Sequence, residues 1–152
     1  MHDYRRILAL VDFSETGTAV ARRALNLARL GGTELAFMHL IEPDPGLDGG
    51  YPPPSHRQCE QGFEQAALRR LAFLAANLGA GEAELLARYG RPGEAFASGI
   101  AAWRPDLVVA GDDPGFLGGR HDLLTLGRSA SIGRMQRFMR QLFIPAGLFG
   151  GA

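Results

Sequence analysis

The chain contains no lysine, and all sixteen of its basic residues are arginines. This absence excludes a Walker-type phosphate lysine, a Schiff-base lysine and an internal pyridoxal phosphate site. Cysteine is nearly absent as well, since Cys59 is the only one. A single cysteine excludes an intramolecular disulfide and a cysteine-based metal cluster, and it favours a reducing compartment. We therefore expect a cytoplasmic protein without disulfides.

The chain also lacks a net charge, because sixteen acidic residues balance the sixteen arginines. A global field that would attract nucleic acid or a membrane surface is then not expected. The first apolar run is short and is broken by Asp12, so the sequence predicts neither a signal peptide nor a membrane span. With 152 residues and 46% hydrophobic content, residues 1–152 suit a single domain with a substantial core.

Apolar runs alternate with segments of helical periodicity along the chain. This pattern predicts an α/β fold with a parallel sheet covered by helices on both faces. Helices are predicted after Glu15, after Ser55, after Gly90 and over 131–141, and residues 42–55 hold no regular element. The predicted strands are 7–11, 35–41, 84–89, 107–110 and 144–149, the third and the fifth at sheet edges.

The same periodicity predicts the surroundings of several side chains. Phe63 lies on the core-facing stripe of its helix, and Cys59 is expected to be partly packed at the start of that helix. Trp103 is expected to pack in the core. His39 lies inside a buried strand and is expected to form a hydrogen bond there rather than to bind a metal. Neither a metal-ligand spacing nor a catalytic triad order is visible.

In a doubly wound sheet the ligand crevice lies at the carboxyl end of the first strand, where the strand order reverses. Asp12 ends that strand and precedes Glu15 by three residues, which is the spacing of a helix N-cap in a capping-box-like arrangement. A carboxylate there also suits a ribose hydroxyl or Mg²⁺. Both interpretations remain open for Asp12, and Ser14 has the same two.

The fourth predicted strand opens into a glycine-rich loop, residues 111–119, and the chain then reaches Gly127 and two serines. A strand followed by such a loop and a serine-capped helix offers backbone N–H groups and a positive helix end to a phosphate. Arg120 and Arg128 are the loop cations nearest to this segment. The negative charge of Asp112 would repel an anion unless a divalent metal lay between the two.

Four segments in this order resemble the universal stress protein family. They are Arg6–Ser14, Met38–Ile41, Gly90–Pro92 before a helix, and Pro105–Gly111. The resemblance covers nearly the whole chain. It implies a five-stranded, doubly wound parallel sheet of order 3-2-1-4-5 and a homodimer formed through the C-terminal strand. It also implies a division between members that bind ATP and members that do not.

ATP-binding members of that family have two glycines three positions apart, nine further residues and then Gly-Ser or Gly-Thr. Gly111 matches the first glycine, but Pro114 occupies the second position and has no N–H for a phosphate. Starting instead at Gly115 recovers Gly118, and Gly127 then misses the last position by one residue. The motif is therefore degraded.

The resemblance nevertheless implies a set of nucleotide contacts, with the backbone at Leu40 and Ile41 meeting an adenine. The candidate set is Asp12, Phe13, Ser14, Leu40, Ile41, Gly111, Asp112, Gly115, Gly118, Arg120, Gly127, Arg128, Ser129 and Ser131.

Three functions follow from these observations. The preferred interpretation is a non-catalytic, dimeric stress-response module that acts through protein contacts and binds nucleotide weakly or not at all. The alternative is a member that binds ATP or AMP, with Mg²⁺, between the Asp12 and Gly111 loops. The third is a nucleotide hydrolase with Asp12, Asp112 and Asp113 around magnesium.

Overall fold

A computed structural model describes residues 4–43 and 56–127 of the chain. Eight regular elements lie along these residues, and strands alternate with helices as far as the fourth strand, as the hydrophobic pattern predicted. The strands are β1 (Arg6–Leu10), β2 (Glu34–Ile41), β3 (Glu84–Tyr89), β4 (Leu107–Ala110) and β5 (Asp122–Thr125). The helices are α1 (Glu15–Gly31), α2 (His56–Leu78) and α3 (Pro92–Trp103). Among the described helices, none is long and apolar enough to cross a membrane.

The strands form one parallel sheet of order β3-β2-β1-β4-β5, which confirms the predicted fold class and strand order. Ile7 of β1 is in register with Leu35 on one side and with Leu107 on the other. From β1 the strands are added first on one side, as β2 and β3, and then on the other side, as β4 and β5, so the strand order reverses between β1 and β4. β3 lies at the edge of the sheet, as predicted from its lower apolar content.

The fifth strand is the main correction to the predicted elements. The sequence predicts no element at Asp122–Thr125, where the structure has β5, and it predicts a fifth strand over 144–149. Residues 144–149 and the helix predicted over 131–141 lie outside the described residues. β5 was missed because it is four residues long, begins with an aspartate and is only half-buried, so its apolar signal is weak.

Alternate side chains of the central strands build two separate core layers, one on each face of the sheet. Ile7 and Phe37 pack against α1 and α2 on one face, where Leu71 of α2 is fully buried. Leu8 and Met38 point to the other face and pack with Phe96 of α3. The period-two alternation of the strands thus explains why helices cover both faces.

Side-chain predictions were confirmed at two positions and wrong at two others. Trp103 is buried, and the Nδ1 atom of His39 is hydrogen-bonded to the carbonyl oxygen of Val11 at 2.7 Å. Phe63 was expected in the core but is 53% exposed, because the first buried side chain described in α2 is Ala67, one turn further along. The ring of Phe63 stacks on Tyr89, with centroids 5.9 Å apart. Cys59 is exposed rather than partly packed.

Candidate functional site

The turn between β1 and α1 is built around Asp12 and Ser14. Ser14 is the N-cap of α1: its backbone is extended, and its hydroxyl oxygen accepts the N–H of Gly17 at 3.2 Å. Asp12 Oδ1 accepts the N–H of Ser14 at 3.0 Å and also its hydroxyl proton. The capping role considered for Asp12 therefore belongs to Ser14, and Asp12 holds the cap in place.

These bonds keep the Asp12 carboxylate ionised. The hydroxyl of Ser14 is the main cause that lowers the pKa of Asp12 below its ordinary value of 3.8, and partial burial opposes this effect. The backbone N–H groups of Ser14 and Gly17 and the nearby His39 lower it further. Both bonds from Ser14 go to Oδ1, so Oδ2 accepts neither of them.

Gly17 allows this turn to be tight. A Cβ atom at Gly17 would lie 1.8 Å from the carbonyl oxygen of Asp12 and 2.5 Å from its Oδ1. Real Cβ atoms do not approach so closely, so the position requires glycine. The first turn of α1 thus packs directly against the carboxylate of Asp12, in the turn that follows β1.

Gly111 and Gly127 meet on the other side of the site. The N–H of Gly127 donates to the carbonyl oxygen of Gly111 at 2.8 Å, and a Cβ at Gly127 would lie 2.8 Å from the same oxygen. A Cβ at Gly111 would lie 2.7 Å from Thr16 of α1. Counted from Gly115 and Gly118, Gly127 misses the family spacing by one position, yet it contacts Gly111, the glycine that opens the loop.

The loop that follows Gly111 satisfies part of its own backbone. Asp113 accepts the N–H of Gly115 at 2.8 Å, and Gly115 has a φ of 107°, a conformation that favours glycine. Pro114 has no N–H to offer. The N–H groups of Gly115 and Gly127 are therefore already bonded and do not face a phosphate.

A cleft of about 680 Å³ lies between these two turns, at the carboxyl ends of β1, β2 and β4. We call it the β1–β4 cleft. Its volume falls within the roughly 300–1,000 Å³ of small-molecule sites. Of the predicted site residues, it brings together Asp12, Ser14, Leu40, Gly111, Asp112 and Gly127.

The structure places five other predicted site residues outside the cleft. Phe13 faces a neighbouring groove, and Ile41, Gly115, Gly118 and Arg120 do not line the cleft. Residues 128, 129 and 131, which supply the predicted Arg128, Ser129 and Ser131 contacts, lie outside the described residues.

Several lining residues were not predicted from the sequence. Thr16, His39 and Glu42 all line the cleft. Thr16 is in the first turn of α1 and Glu42 directly follows β2, so position relative to a strand end was the available signal. His39 lies between Phe13, with ring centroids 4.3 Å apart, and the carbonyl of Val11.

The described lining of the cleft is acidic. Asp12, Glu42 and Asp112 contribute carboxylates, and none of the described lining residues is an arginine. Such a lining attracts hydroxyl and amino groups and disfavours a bare triphosphate. The part of the chain that the structure describes also holds no group of three or more histidine, cysteine or carboxylate side chains suited to a metal ion, so Asp12, Asp112 and Asp113 form no such group.

Comparison with known proteins gives one family match. The model of the universal stress protein family matches residues 3–127, which confirms the resemblance expected from the sequence. No curated protein matches the chain.

Solved structures show the same fold at low identity. A universal stress protein in complex with cAMP is 19% identical, with a TM-score of 0.55, over 80% of this chain and 95% of that one. A family protein from Burkholderia pseudomallei is 18% identical, with a TM-score of 0.56, over 82% and 97%. The universal stress protein from Archaeoglobus fulgidus in complex with dAMP is 18% identical, with a TM-score of 0.52, over 80% and 97%.

Proposed function

Because this chain belongs to the universal stress protein family, we propose that it is a cytoplasmic, non-catalytic module that binds an adenine mononucleotide in the β1–β4 cleft. Binding would alter its contacts with protein partners. The observation that carries this proposal is the cleft itself, which combines the Asp12 carboxylate with the paired Gly111 and Gly127.

The chemistry of Asp12 suits a ribose. Its pKa is lowered, so it is a carboxylate at neutral pH, and Oδ2, which takes neither bond from Ser14, would accept a ribose hydroxyl proton. A carboxylate in this role is common in doubly wound nucleotide sites. Two relatives with this fold, in complex with cAMP and with dAMP, support the adenine mononucleotide as the ligand class.

The loop geometry argues for one phosphate rather than three. The N–H of Gly115 is already bonded to Asp113, and Pro114 has none. Glu42 and Asp112 also line the cleft, so a phosphate chain bound there would meet their carboxylates. Each further phosphate would bring more negative charge toward these carboxylates, so ATP without metal is expected to bind less well than AMP.

Isothermal titration calorimetry with AMP, cAMP, adenosine and ATP tests the proposal. We expect AMP and cAMP to bind and metal-free ATP to bind at least about tenfold more weakly, a difference of about 1.4 kcal/mol. Asp12→Asn is expected to weaken AMP by about tenfold, because the ribose hydroxyl loses a charged acceptor. Glu82→Gln is the matched control, since Glu82 is exposed and lines a cavity that lies apart from the cleft.

The proposal fails if adenosine, AMP and cAMP give neither binding heat nor a thermal shift at millimolar concentration. A ligand present at 100 times its dissociation constant would stabilise the fold by roughly 2.7 kcal/mol, which a melting experiment resolves easily.

A second function, a module that acts through protein contacts alone, is favoured by Pro114 and the acidic lining of the cleft. It predicts that the natively purified protein carries no nucleotide. Native mass spectrometry separates the two functions, because bound AMP adds a fixed mass to the intact protein.

A further inference from the structure

A second concave surface lies beside the β1–β4 cleft, between the start of α1 and the outer face of α2. It has a volume of about 420 Å³, and Asp12 lines both surfaces. Phe13, Arg69, Arg70, Phe73 and Asn77 supply its distinctive groups, and we call it the Phe73 groove. The proposed nucleotide function makes no use of these five residues.

The groove displays the most exposed large apolar side chain among the described residues. Phe73 is 71% exposed, compared with 53% for Phe63 and 47% for Leu30. Phe63 is partly covered by its stacking on Tyr89. An exposed aromatic ring in a concave, partly polar setting is typical of an interaction site, since covering it removes apolar surface from water.

Two arginines line the groove together with this ring. Arg69 and Arg70 are both exposed, and neither forms an ion pair with a residue that the structure describes. The guanidinium of Arg70 lies 3.9 Å from the centre of the Phe13 ring, a cation–π contact that holds its position. Asp12, the acidic residue of the groove, already accepts two hydrogen bonds from Ser14.

The helical spacing places these groups on one face. Arg69, Phe73 and Asn77 follow each other at intervals of four residues along α2, so their side chains lie in a row. A bound segment would meet a cation, an aromatic ring and an amide in succession. This order suits a peptide with carboxylates next to an apolar side chain.

We propose that the Phe73 groove binds a short acidic segment of a partner protein. An apolar side chain of that segment covers Phe73, and its carboxylates pair with Arg69 and Arg70. Charge complementarity selects this occupant. A nucleic acid would need a broad basic surface, whereas this chain has no net charge.

Fluorescence anisotropy with a labelled peptide, in which glutamates surround two leucines four positions apart, tests the proposal. We expect the full chain to bind this peptide and to bind the same peptide with lysines for glutamates at least about tenfold more weakly. Phe73→Ala and Arg69→Glu should each weaken the acidic peptide by about tenfold. Arg69→Glu should also improve binding of the lysine peptide.

Two matched variants control for general effects of these substitutions. Leu30→Ala removes another exposed apolar side chain, and Arg22→Glu reverses another exposed charge, both on α1 and outside the groove. Neither should change peptide affinity. All four variants alter exposed side chains, so circular dichroism should show an unchanged fold.

Three results would overturn the proposal: equal affinity for the two peptides, equal effects of Phe73→Ala and Leu30→Ala, or tighter binding of a thymidine oligonucleotide than of the acidic peptide. Because the peptide experiment is run without nucleotide and leaves Asp12 intact, its outcome is independent of AMP binding in the β1–β4 cleft.

Discussion

The hydroxyl of Tyr4 donates a hydrogen bond to the carboxylate of Asp122, across 118 positions of sequence. Tyr4 is 2% exposed and lies just before β1, which begins at Arg6, while Asp122 is the first residue of β5. The bond therefore attaches the edge strand to the start of the chain. Asp122 also donates its backbone N–H to Asp106 at 2.9 Å, so β5 is held at its beginning by two contacts.

Tyr4→Phe should destabilise the protein by about 1.5–3 kcal/mol, because it removes a bond to a charged acceptor and keeps the ring. Chemical denaturation of the single variants and of the double variant with Asp122→Asn measures this. Since the two side chains contact each other, their effects should be far from additive. Fully additive effects would show that the bond contributes nothing to stability.

Gly17→Ala and Gly62→Ala should change stability in opposite directions. A Cβ at Gly17 overlaps the carbonyl of Asp12, so the turn must move, at a cost of about 1–3 kcal/mol or more. Gly62 lies in α2 with open space around it, and alanine there should stabilise the helix by about 0.5–1 kcal/mol. Thermal melting of the two variants measures both changes in stability. Similar melting temperatures would contradict the tight packing of the β1–α1 turn.

The stability of the fold should decrease in acid in a way that depends on Ser14. Because the pKa of Asp12 is lowered in the folded state, its contribution to stability is present above 3.8 and is lost as the pH falls through the folded-state pKa. Ser14→Ala removes the main cause of the shift, so the pKa of Asp12 should rise toward 3.8.

Carboxyl-carbon NMR titration of Asp12 gives this pKa directly. Ser98→Ala is the control, since Ser98 is exposed, far along the chain and bonded to Arg88. If Ser14→Ala and Ser98→Ala leave the same titration curve for Asp12, the hydroxyl of Ser14 does not hold the carboxylate.

We expect a homodimer, as proposed from the resemblance to the family. Within the described residues, β5 pairs with β4 alone and lies at the edge of the sheet, and edge strands tend to acquire a partner. The contact predicted through residues 144–149 lies outside the described residues. Sedimentation velocity at micromolar concentration should give twice the mass of the chain, and a single species of 16.3 kDa would contradict it.

The sequence was sufficient to predict the central strands and the helices that cover them. Val108 and Val109 belong to a short, wholly apolar run. In a chain where apolar runs alternate with segments of helical periodicity, such a run predicts a buried strand. β5 was not predictable in this way, because its half-buried residues give a weak apolar signal and its position depends on the distant contact of Asp122 with Tyr4.

The site was only partly predictable for a related reason. The sequence identified Asp12 and Ser14 together, but both residue types cap helices, and only the extended backbone of Ser14 decides which one does. The residues of the Phe73 groove come from the β1–α1 turn, the start of α1 and the distant helix α2, and no local pattern joins Phe13 to Arg70.

The contact between Gly111 and Gly127 has a consequence for how such chains are recognised. The two glycines follow the paired strands β4 and β5, where each has too little room for a side chain. Their separation is set by the register of these two strands and not by the number of residues in the loop that joins β4 to β5. A pattern that counts positions along the chain measures the length of that loop. Distances across the sheet are therefore the better criterion for deciding which divergent chains keep the site.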